Sequence, residues 1–405
     1  MKIGIIRERK SPPDSRVPLT PQQCQLIMAN SEINIEVEPS PIRCYKDEEY
    51  LEAGVTLSSD LSDRDVLLGV KELIPENVLP GKTYFIFSHT IKEQAYNRNL
   101  LKAFIENEVR LIDYEVLTDD SGRRLIAFGY FAGLVGAHNA LWTWCRRTEL
   151  TRLPRLYKLP DFRSVIPYYD QIKWPAFKIV LTGDGRVASG SVHTLEMSGI
   201  KRVSPEDFLT RSYDEAIYTQ LGVKAYARRT DGLNFELDDY FSDPGSYESQ
   251  FLPYARQADV MINGIYWDPR SPAFFSLEDM AKKDFKIKVI ADVTCDIAPE
   301  ASIPSTIRPT TIDDPVYGFD PDRKAEVEPF QAGGIDVMAI DNLPNEVPRD
   351  ASESFGQQFI DNILPELLKD SSDILEQATI AQNGKLGVHF KYLKNFLEGH
   401  QAKGR

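Results

Sequence analysis

The stretch KIVLTGDGRVASG, residues 178–190, runs from a short apolar strand through a glycine-rich turn into a helix. Gly183 and Gly185 are the first two glycines of a G-x-G-x-x-G pattern, Ala188 stands at the third position, and Gly190 follows two residues later. A helix that begins at such a turn directs backbone N–H groups and the positive end of its dipole at a phosphate. The stretch therefore predicts a dinucleotide-binding α/β domain, and a glycine turn without a ligand is the alternative.

An acidic residue about 20 residues after such a turn, at the end of the next strand, commonly holds the adenosine ribose. We expect that strand at Arg202–Pro205, which makes Glu206 and Asp207 the candidates. Either carboxylate would favour NAD over NADP, because it would repel a 2′-phosphate.

Further apolar runs extend this pattern to both sides of the glycine turn. The predicted strands are Met1–Ile6, Ile33–Val37, Asp65–Val70, Tyr84–Phe87, Val109–Ile112, Val260–Ile262, Val289–Ala291 and Val337–Ile340. The predicted helices are Thr20–Ala29, Lys92–Glu106, Phe128–Arg147, Glu353–Leu367 and Asp373–Gly399, with a loop at Leu153–Trp174 and an insertion at Tyr218–Tyr247. Alternating strands and helices predict an α/β protein with two Rossmann-like domains built on parallel sheets.

Ionisable residues follow three of these strands directly. Lys71, His89 and Glu115 each lie just past a strand end, where parallel sheets bind ligands. A lysine desolvated in a cleft can act as a base near neutral pH, and a nearby histidine can carry a second proton transfer. The alternatives are a structural ion pair between Lys71 and Glu72 and a structural histidine.

Two arginines lie in loops next to these strands. Arg16 and Arg124 could each clamp a carboxylate with two parallel hydrogen bonds, and surface charge is the alternative. We expect the remaining histidines, His138, His193, His389 and His400, to be structural or exposed.

Composition restricts the class of protein. The chain has 405 residues and a net charge of −14, so two domains are expected and nucleic acid would be repelled. The four cysteines have no metal-site spacing, and we expect reduced thiols in the cytoplasm and no metal. The start of the chain lacks a signal-peptide pattern, and no apolar run is long enough to span a membrane. The sequence leaves the oligomeric state open.

Several segments resemble one enzyme family. RERKSPPDSRVPLTP, residues 7–21, resembles the opening of the alanine dehydrogenase/transhydrogenase superfamily. The segments LLGVKELIPE, FIFSHTIKEQ, LIDYEVLTDDSGRRLIAFGYFAG and AIDNLPNEVPRDAS are similar, in the same order, to lysine-forming saccharopine dehydrogenases. The likeness is poor at about residues 150–175 and 205–250.

This resemblance implies a function and a set of site residues. In that family NAD oxidises saccharopine, and water splits the resulting imine into lysine and 2-oxoglutarate. Lys71 matches the family's base and His89 its second acid/base. Substrate-contacting positions match Arg16, Gln94, Arg124 and Phe128. Cofactor-side positions match Arg123, Gly185, Arg186, Tyr266, Thr294, Asp296, Ile340, Asp341, Asn342 and Leu343, beside the Gly183 and Glu206 that the glycine pattern suggests.

The resemblance also implies a split catalytic domain, residues 1–136 plus 341–405, around a NAD-binding domain at 137–340, with the active site in the cleft between the domains. Saccharopine carries three carboxylates, for which Arg16, Lys92, Arg123 and Arg124 could provide positive charge. Lys10, Lys92, Glu72 and Glu115 could tune the pKa values of the site.

Other functions stay open at this point. An alanine dehydrogenase or another opine-type dehydrogenase would share the lysine and the histidine, although Gln94 and the pair Arg123–Arg124 favour a larger substrate with several carboxylates. A NAD-binding sensor without chemistry is the remaining alternative. The segment VSPEDF, residues 203–208, departs from the family pattern, in which the ribose-binding acid ends a regular strand.

Overall fold

The computed structural model describes residues 1–399; His400 and the tail 401–405 lie outside the described residues. The chain divides into two compact units. Unit 1 comprises Met1–Phe128 and the described residues from Pro348 onward, and unit 2 comprises Gly129–Val347. The boundaries differ from those expected at 136/137 and 340/341, because the whole helix that begins at Gly129 packs within unit 2.

The strands are β1 Lys2–Ile5, β2 Asn34–Val37, β3 Thr56–Leu57, β4 Val66–Leu68, β5 Thr83–Ile86, β6 Arg110–Asp113, β7 Lys178–Thr182, β8 Lys201–Arg202, β9 Ile217–Leu221, β10 Ala227–Arg229, β11 Tyr247–Ser249, β12 Val260–Asn263, β13 Val289–Asp292, β14 Tyr317–Asp320, β15 Ala325–Val327, β16 Ile335–Met338, β17 Thr379–Gln382 and β18 Lys385–Leu386.

The helices are α1 Pro21–Asn30, α2 Asp47–Glu52, α3 Arg98–Glu106, α4 Gly129–Arg147, α5 Ile166–Tyr169, α6 Arg186–Met197, α7 Pro205–Thr210, α8 Val223–Tyr226, α9 Leu237–Ser242, α10 Leu252–Ala255, α11 Leu277–Met280, α12 Pro348–Gln358, α13 Leu364–Leu367, α14 Asp373–Gln377 and α15 Lys394–Glu398. Among the described residues no helix is both long and apolar enough to cross a bilayer.

The sheet of unit 1 has the order β18-β17-β6-β5-β4-β1-β2-β3. Strands β1 to β6 are parallel, and β17 and β18 add antiparallel pairs at one edge. Strands β2 and β3 are added on one side of β1, and strands β4, β5 and β6 are then added on its other side. The loops after β1 and β4 therefore face each other at a topological switch point, where open α/β sheets bind ligands.

The C-terminal region corrects one prediction. We expected Asp373–Gly399 to be helical, but Thr379–Gln382 forms β17, which pairs with β6. Ile380 and Ala381 are fully buried in the core of unit 1. This strand exists because it extends a sheet formed more than 250 residues earlier in the chain, and local periodicity does not show such a pairing.

The sheet of unit 2 has the order β15-β14-β16-β13-β12-β7-β9-β8. Strands β16, β13, β12, β7, β9 and β8 are parallel, and β14 and β15 are antiparallel at one edge. Its switch point lies between β7 and β12, so the glycine turn after β7 faces the loop after β12. The predicted α/β class with two Rossmann-like sheets is confirmed, with antiparallel strands at one edge of each sheet.

Two predictions about the β8–β9 edge of the unit 2 sheet were wrong. The strand expected at Arg202–Pro205 ends at Arg202, because Ser204 caps helix α7 and Pro205 is its first residue. The segment Tyr218–Tyr247 is not wholly an insertion, since Tyr218–Leu221 belongs to β9, the direct neighbour of β7. The remainder contains β10, which pairs with β11 in a separate small sheet.

Several other helices and loops differ from the predicted bounds because short turns interrupt them. The helix expected at Lys92–Glu106 starts only at Arg98, since short 3₁₀ turns occupy Thr90–Lys92 and Ala95–Asn97. The predicted loop Leu153–Trp174 contains 3₁₀ turns and the single-turn helix α5. The helix expected at Glu353–Leu367 begins earlier, at Pro348, and passes through a π-helical turn at Phe359–Ile363.

Candidate functional site

In unit 1, Lys71 follows β4 and is half-buried beside several charges. Burial and the nearby Arg16 guanidinium lower the pKa of Lys71 to about 8, and Lys10 acts in the same direction while Asp14 and Glu72 oppose it. An amine with this pKa is partly neutral near physiological pH and can accept a proton.

The backbone at Lys71 is held by Glu8, which follows β1 across the switch point. The Glu8 carboxylate accepts hydrogen bonds from the N–H groups of Val70 at 2.7 Å and Lys71 at 3.0 Å. Burial, together with the charge of Asp14, raises the pKa of Glu8 to about 8. Glu8 therefore fixes the loop that carries Lys71 and is largely uncharged at neutral pH.

His89 follows β5 and adopts a left-handed backbone conformation, with φ of 52°. Its Nδ1 lies 3.3 Å from Glu72 Oε2, and Lys10 Nζ lies 2.7 Å from Glu72 Oε1. Burial raises the pKa of Glu72, but hydrogen bonds from His89 and Lys10 outweigh it and lower that pKa to about 2. Glu72 thus stays ionised and lies on the Nδ1 side of the imidazole, which leaves Nε2 for other partners.

Asp113, at the end of β6, ties two of these loops together. Its Oδ2 accepts from the Ser88 N–H at 2.9 Å and from the Ser88 hydroxyl at 2.5 Å. Its Oδ1 accepts from the Glu115 N–H at 2.8 Å. Asp113 is fully buried, and burial raises its pKa. The loops that carry His89 and Glu115 are therefore set by one carboxylate.

Arg16, Arg124 and Lys92 of this region are paired with carboxylates. Arg16 is buried, donates to Asp14 through Nε at 3.0 Å and Nη2 at 2.6 Å, and lies 4.2 Å from the centre of the Phe128 ring. Arg124 donates to Glu115 at 3.0 Å, and Lys92 lies 3.7 Å from the same oxygen. Both predicted arginines are thus held by acids.

The other predicted residues of unit 1 lie as follows. Phe128 is buried and stacks on Phe355 with ring centres 4.4 Å apart. Gln94 is exposed and accepts from the Tyr96 hydroxyl at 2.7 Å. Arg123, expected on the cofactor side, belongs to unit 1, is exposed and pairs with Asp119 at 3.1 Å.

In unit 2, the glycine turn is shaped by close backbone contacts. Gly183 has φ of 101°, and a Cβ there would lie 2.5 Å from the Gly264 carbonyl oxygen. A Cβ at Gly185 would meet no described atom within 4 Å, and as N-cap of α6 this glycine supplies no capping side chain. The turn therefore leaves open space at the N-terminus of α6.

The third glycine position serves packing. Ala188 is fully buried on α6, and a Cβ at Gly190 would lie 1.9 Å from the Tyr130 carbonyl oxygen of α4. Gly190 therefore lets α6 and α4 approach closely. Gly190 lies two residues after the third position of the G-x-G-x-x-G pattern because its role is in this helix–helix contact.

The remaining cofactor-side residues follow the parallel strands of unit 2 at the same edge of the sheet. Tyr266 follows β12 and is 82% exposed, and Thr294 and Asp296 follow β13. Ile340 is buried and Asp341 exposed after β16, whereas Leu343 is buried in a short turn beside α4. These residues lie at carboxyl ends of neighbouring strands, except Leu343, which packs inward.

Glu206 does not fit this arrangement. It lies exposed in the first turn of α7, after β8, which is the outermost strand. The premise that Glu206 ends the strand beside β7 is therefore wrong, because β9 occupies that place.

A buried polar network holds the strand ends under this edge. Thr182 Oγ1 donates to Asn263 Oδ1 at 2.7 Å, and Asn263 Nδ2 donates to Asp292 Oδ1 at 3.0 Å. Asp292 also accepts from Thr294 Oγ1 at 2.8 Å and Thr306 Oγ1 at 2.7 Å, and burial raises its pKa. The sequence reading missed Asn263 and Asp292, as it missed Glu8, Asp14 and Asp113, because their partners are distant or their role is to position others.

The remaining histidines divide as expected within the described residues. His138 is fully buried on α4 between the Tyr169 hydroxyl and the Pro154 carbonyl, and burial lowers its pKa to about 3. His193 is half-buried and His389 exposed. All four cysteines are free thiols.

Comparison with known proteins places this chain among relatives. Residues 4–135 match the model of the alanine dehydrogenase/PNT N-terminal domain. The chain is 28% identical to the alpha-aminoadipic semialdehyde synthase of Arabidopsis thaliana, a match that covers 100% of this chain and 42% of that protein. The chain thus spans less than half the length of that relative, and 48% of its counterpart from Bos taurus.

The chain is also similar in sequence to a relative of about its own length, and similar in fold to a solved structure. The chain is 27% identical to the NAD(+), L-lysine-forming saccharopine dehydrogenase of Yarrowia lipolytica, over 92% of this chain and 94% of that protein. Its fold is shared with an L-alanine dehydrogenase structure at a TM-score of 0.63 and 16% identity, covering 98% and 99% of the two chains. Residues 4–135 are therefore similar to the alanine dehydrogenase/PNT N-terminal domain, and the chain is similar over most of its length to lysine-forming saccharopine dehydrogenases.

Proposed function

We propose that this chain is a NAD-dependent oxidoreductase that acts on a CH–NH bond and cleaves saccharopine into lysine and 2-oxoglutarate. The observation that carries the proposal is the half-buried Lys71, with its pKa of about 8, next to the His89–Glu72 pair. Likeness to lysine-forming saccharopine dehydrogenases along most of the chain supports the choice of substrate. Unit 1 would carry the substrate chemistry and unit 2 the nucleotide.

The residues of unit 2 fit a dinucleotide. The open space at Gly185 and the uncapped start of α6 suit a pyrophosphate, which would accept hydrogen bonds from backbone N–H groups. Tyr266, Thr294, Asp296 and Asp341 follow β12, β13 and β16, the strands that lie in succession beside β7. When bound, the nicotinamide ring would supply the hydride acceptor for the oxidation.

Lys71 would accept the proton of the substrate's secondary amine. Oxidation of this C–N bond releases one proton from nitrogen along with the hydride, so a neutral amine nearby is required. Because burial and Arg16 lower the pKa of Lys71 to about 8, a useful fraction of Lys71 is neutral near pH 7.

His89 would handle the water that splits the imine. It takes a proton from water as the oxygen attacks the imine carbon and returns one to the leaving amine of lysine. Glu72 Oε2 lies 3.3 Å from Nδ1, where its charge would stabilise the imidazolium that forms between the two transfers.

The charges around Lys71 and His89 suit a substrate with three carboxylates. Besides Lys71, the basic residues of the region are Lys10, Arg16, Lys92 and Arg124, and the acidic residues that face them are Asp14, Glu72 and Glu115. Glu8 adds little negative charge, since its pKa is about 8. The local excess of cations attracts carboxylates although the whole chain carries −14.

The proposed partners are small amino acids, without nucleic acid or membrane. The free thiols support a reducing compartment, and we place the protein in the cytoplasm.

The test is a spectrophotometric assay of the reverse reaction. Purified full chain is mixed with NADH, 2-oxoglutarate and one amino acid at a time, and the loss of NADH absorbance is followed. We expect oxidation with lysine and much slower oxidation with other amino acids, and saccharopine should be identified as product by mass spectrometry.

Other outcomes would replace the proposal. Oxidation with pyruvate and ammonia instead would indicate an alanine dehydrogenase. Tight NADH binding without oxidation by any pair would indicate a nucleotide sensor.

A further inference from the structure

The edge of the unit 2 sheet lacks the usual ribose-binding acid. In dinucleotide domains this acid ends the strand beside the one that leads into the glycine turn. That neighbouring strand is β9, which ends at Leu221 and is followed by Gly222, Val223 and Lys224. Another group must therefore meet the adenosine ribose.

Asp184, the residue between the two glycines of the turn, lies at the vacant place. A Cβ built on Gly222 would lie 3.1 Å from Asp184 Oδ2, so the carboxylate rests against the residue that follows β9. Asp184 is exposed, and within residues 1–399 its carboxylate makes no hydrogen bond or ion pair. It is thus an available acceptor at the end of the strand next to β7.

The turn that carries Asp184 is fixed to β9. The Gly183 N–H donates to the Leu221 carbonyl at 2.8 Å, and Gln220 Nε2 donates to the Gly183 carbonyl at 2.9 Å. Arg202 Nη2 in turn donates to Gln220 Oε1 at 2.8 Å. The backbone before Asp184 is therefore held from both sides, which limits the positions that its carboxylate can reach.

We propose that Asp184 replaces the strand-end acid, accepts a hydrogen bond from the 2′-hydroxyl of the adenosine ribose, and so selects NAD(H) over NADP(H). This inference rests on the proposed dinucleotide function of unit 2. A carboxylate against Gly222 accepts from a hydroxyl and repels a 2′-phosphate. Gly222 is part of the arrangement, because a Cβ there would lie closer to the carboxylate than an ordinary van der Waals contact and would make it shift.

The experiment compares affinities for the two reduced dinucleotides. Full-length wild type, Asp184→Asn, Asp184→Ser and the control Glu206→Gln are titrated with NADH and with NADPH, and nucleotide fluorescence gives each Kd. We expect wild type to bind NADH at least about tenfold tighter than NADPH. In both Asp184 variants this ratio should fall about tenfold or more, whereas Glu206→Gln should leave it unchanged.

The outcomes separate the two proposals. Wild type that binds NADPH as well as or better than NADH overturns the role of Asp184, and so does an unchanged ratio in both variants. A changed ratio in Glu206→Gln alone would return the role to that residue. If neither dinucleotide binds wild type, the proposed function fails and this inference fails with it. Thermal unfolding of each variant checks that the fold is retained.

Discussion

At the scale of single residues, burial and Arg16 lower the pKa of Lys71 most, and Glu72 is one of the smaller charges that adjust it. Glu72 is ionised, with a pKa of about 2, and it contacts Lys10 and His89 directly. The charge of Glu72 raises the pKa of Lys71, and the charge of Lys10 lowers it. Two neighbours of opposite sign thus adjust the pH at which Lys71 becomes a base, in addition to the larger effects of burial, Arg16 and Asp14.

These opposite effects give a prediction for pH dependence. A base must be neutral to act, so kcat/KM for saccharopine oxidation should rise with pH and level off above about 8. Glu72→Gln removes a charge that raises the pKa of Lys71, so this limb should move to lower pH. Lys10→Met removes a charge that lowers it, so the limb should move to higher pH. Profiles that move in the same direction would contradict the assignment.

The role of Lys71 itself can be tested by removing the amine. Lys71→Met should reduce kcat by about 10²–10⁴-fold, which is the usual contribution of a positioned base. NADH affinity, measured by fluorescence, should stay close to wild type because the glycine turn and, apart from Arg123, the candidate nucleotide residues lie in unit 2. Lys102→Met, an exposed lysine on α3, is the control and should change neither quantity. Lost NADH affinity with preserved turnover would show that Lys71 has another role.

At the scale of elements, helices α4 and α6 depend on small residues at their contact. A Cβ at Gly133 of α4 would lie 1.7 Å from the Val187 carbonyl oxygen, whereas one at Gly129 would lie 3.5 Å from a Val187 methyl group. Ser191 and Thr194 of α6 donate to the carbonyls of Gly133 and Leu134 at 2.9 Å. The helix that begins at the glycine turn is therefore locked to α4.

The two glycines of α4 form a matched pair of variants. Gly133→Ala forces the helices apart and should lower the free energy of unfolding by about 2–3 kcal/mol. Gly129→Ala makes only an ordinary contact and should change it by less than about 0.5 kcal/mol. Urea unfolding followed by the fluorescence of Trp142 and Trp144, both on α4, measures the difference. Equal effects of the two variants would contradict the packing argument.

Elements with a strong local signal could be predicted from the sequence. Helix α1 lies in the predicted segment, with Thr20 as N-cap and Gln23 completing the capping box, and the predicted strand before the glycine turn is Lys178–Thr182. Lys71 and His89 were found because each follows an apolar strand directly. In contrast, β9 and β17 are strands only because distant segments pair with them, so the position of Glu206 was misjudged along with them.

The residues that position the site could not be predicted from local sequence patterns, because their partners are also distant in the sequence. Glu8 holds the N–H of Lys71 across 63 residues, and Asp113 holds Ser88 across 25. Nothing in the sequence near Glu8 or Asp113 indicates these partners. The chemistry-bearing residues were therefore easier to predict than the residues that place them.

At the scale of the whole molecule, both units share one sheet topology with a central switch point. In each, the chain reverses its direction of growth between two central strands, β1 and β4 in unit 1 and β7 and β12 in unit 2. The candidate site residues of each unit follow these central strands. The two switch points thus account for the positions of Lys71 and of the glycine turn alike.

Unit 2 is continuous in the sequence, so it can be tested as an independent folding unit. Gly129–Val347 is one uninterrupted segment with its own sheet and its own apolar core around Phe251, Phe274 and Tyr317. Expressed alone, residues 129–347 should therefore fold cooperatively and bind NADH with a Kd within about threefold of the full chain. Asp184→Asn in this segment should reduce the preference for NADH over NADPH as it does in the full chain. Circular dichroism and nucleotide fluorescence provide the measurements. A folded segment that fails to bind NADH, while the full chain binds it, would show that the nucleotide site needs residues of unit 1.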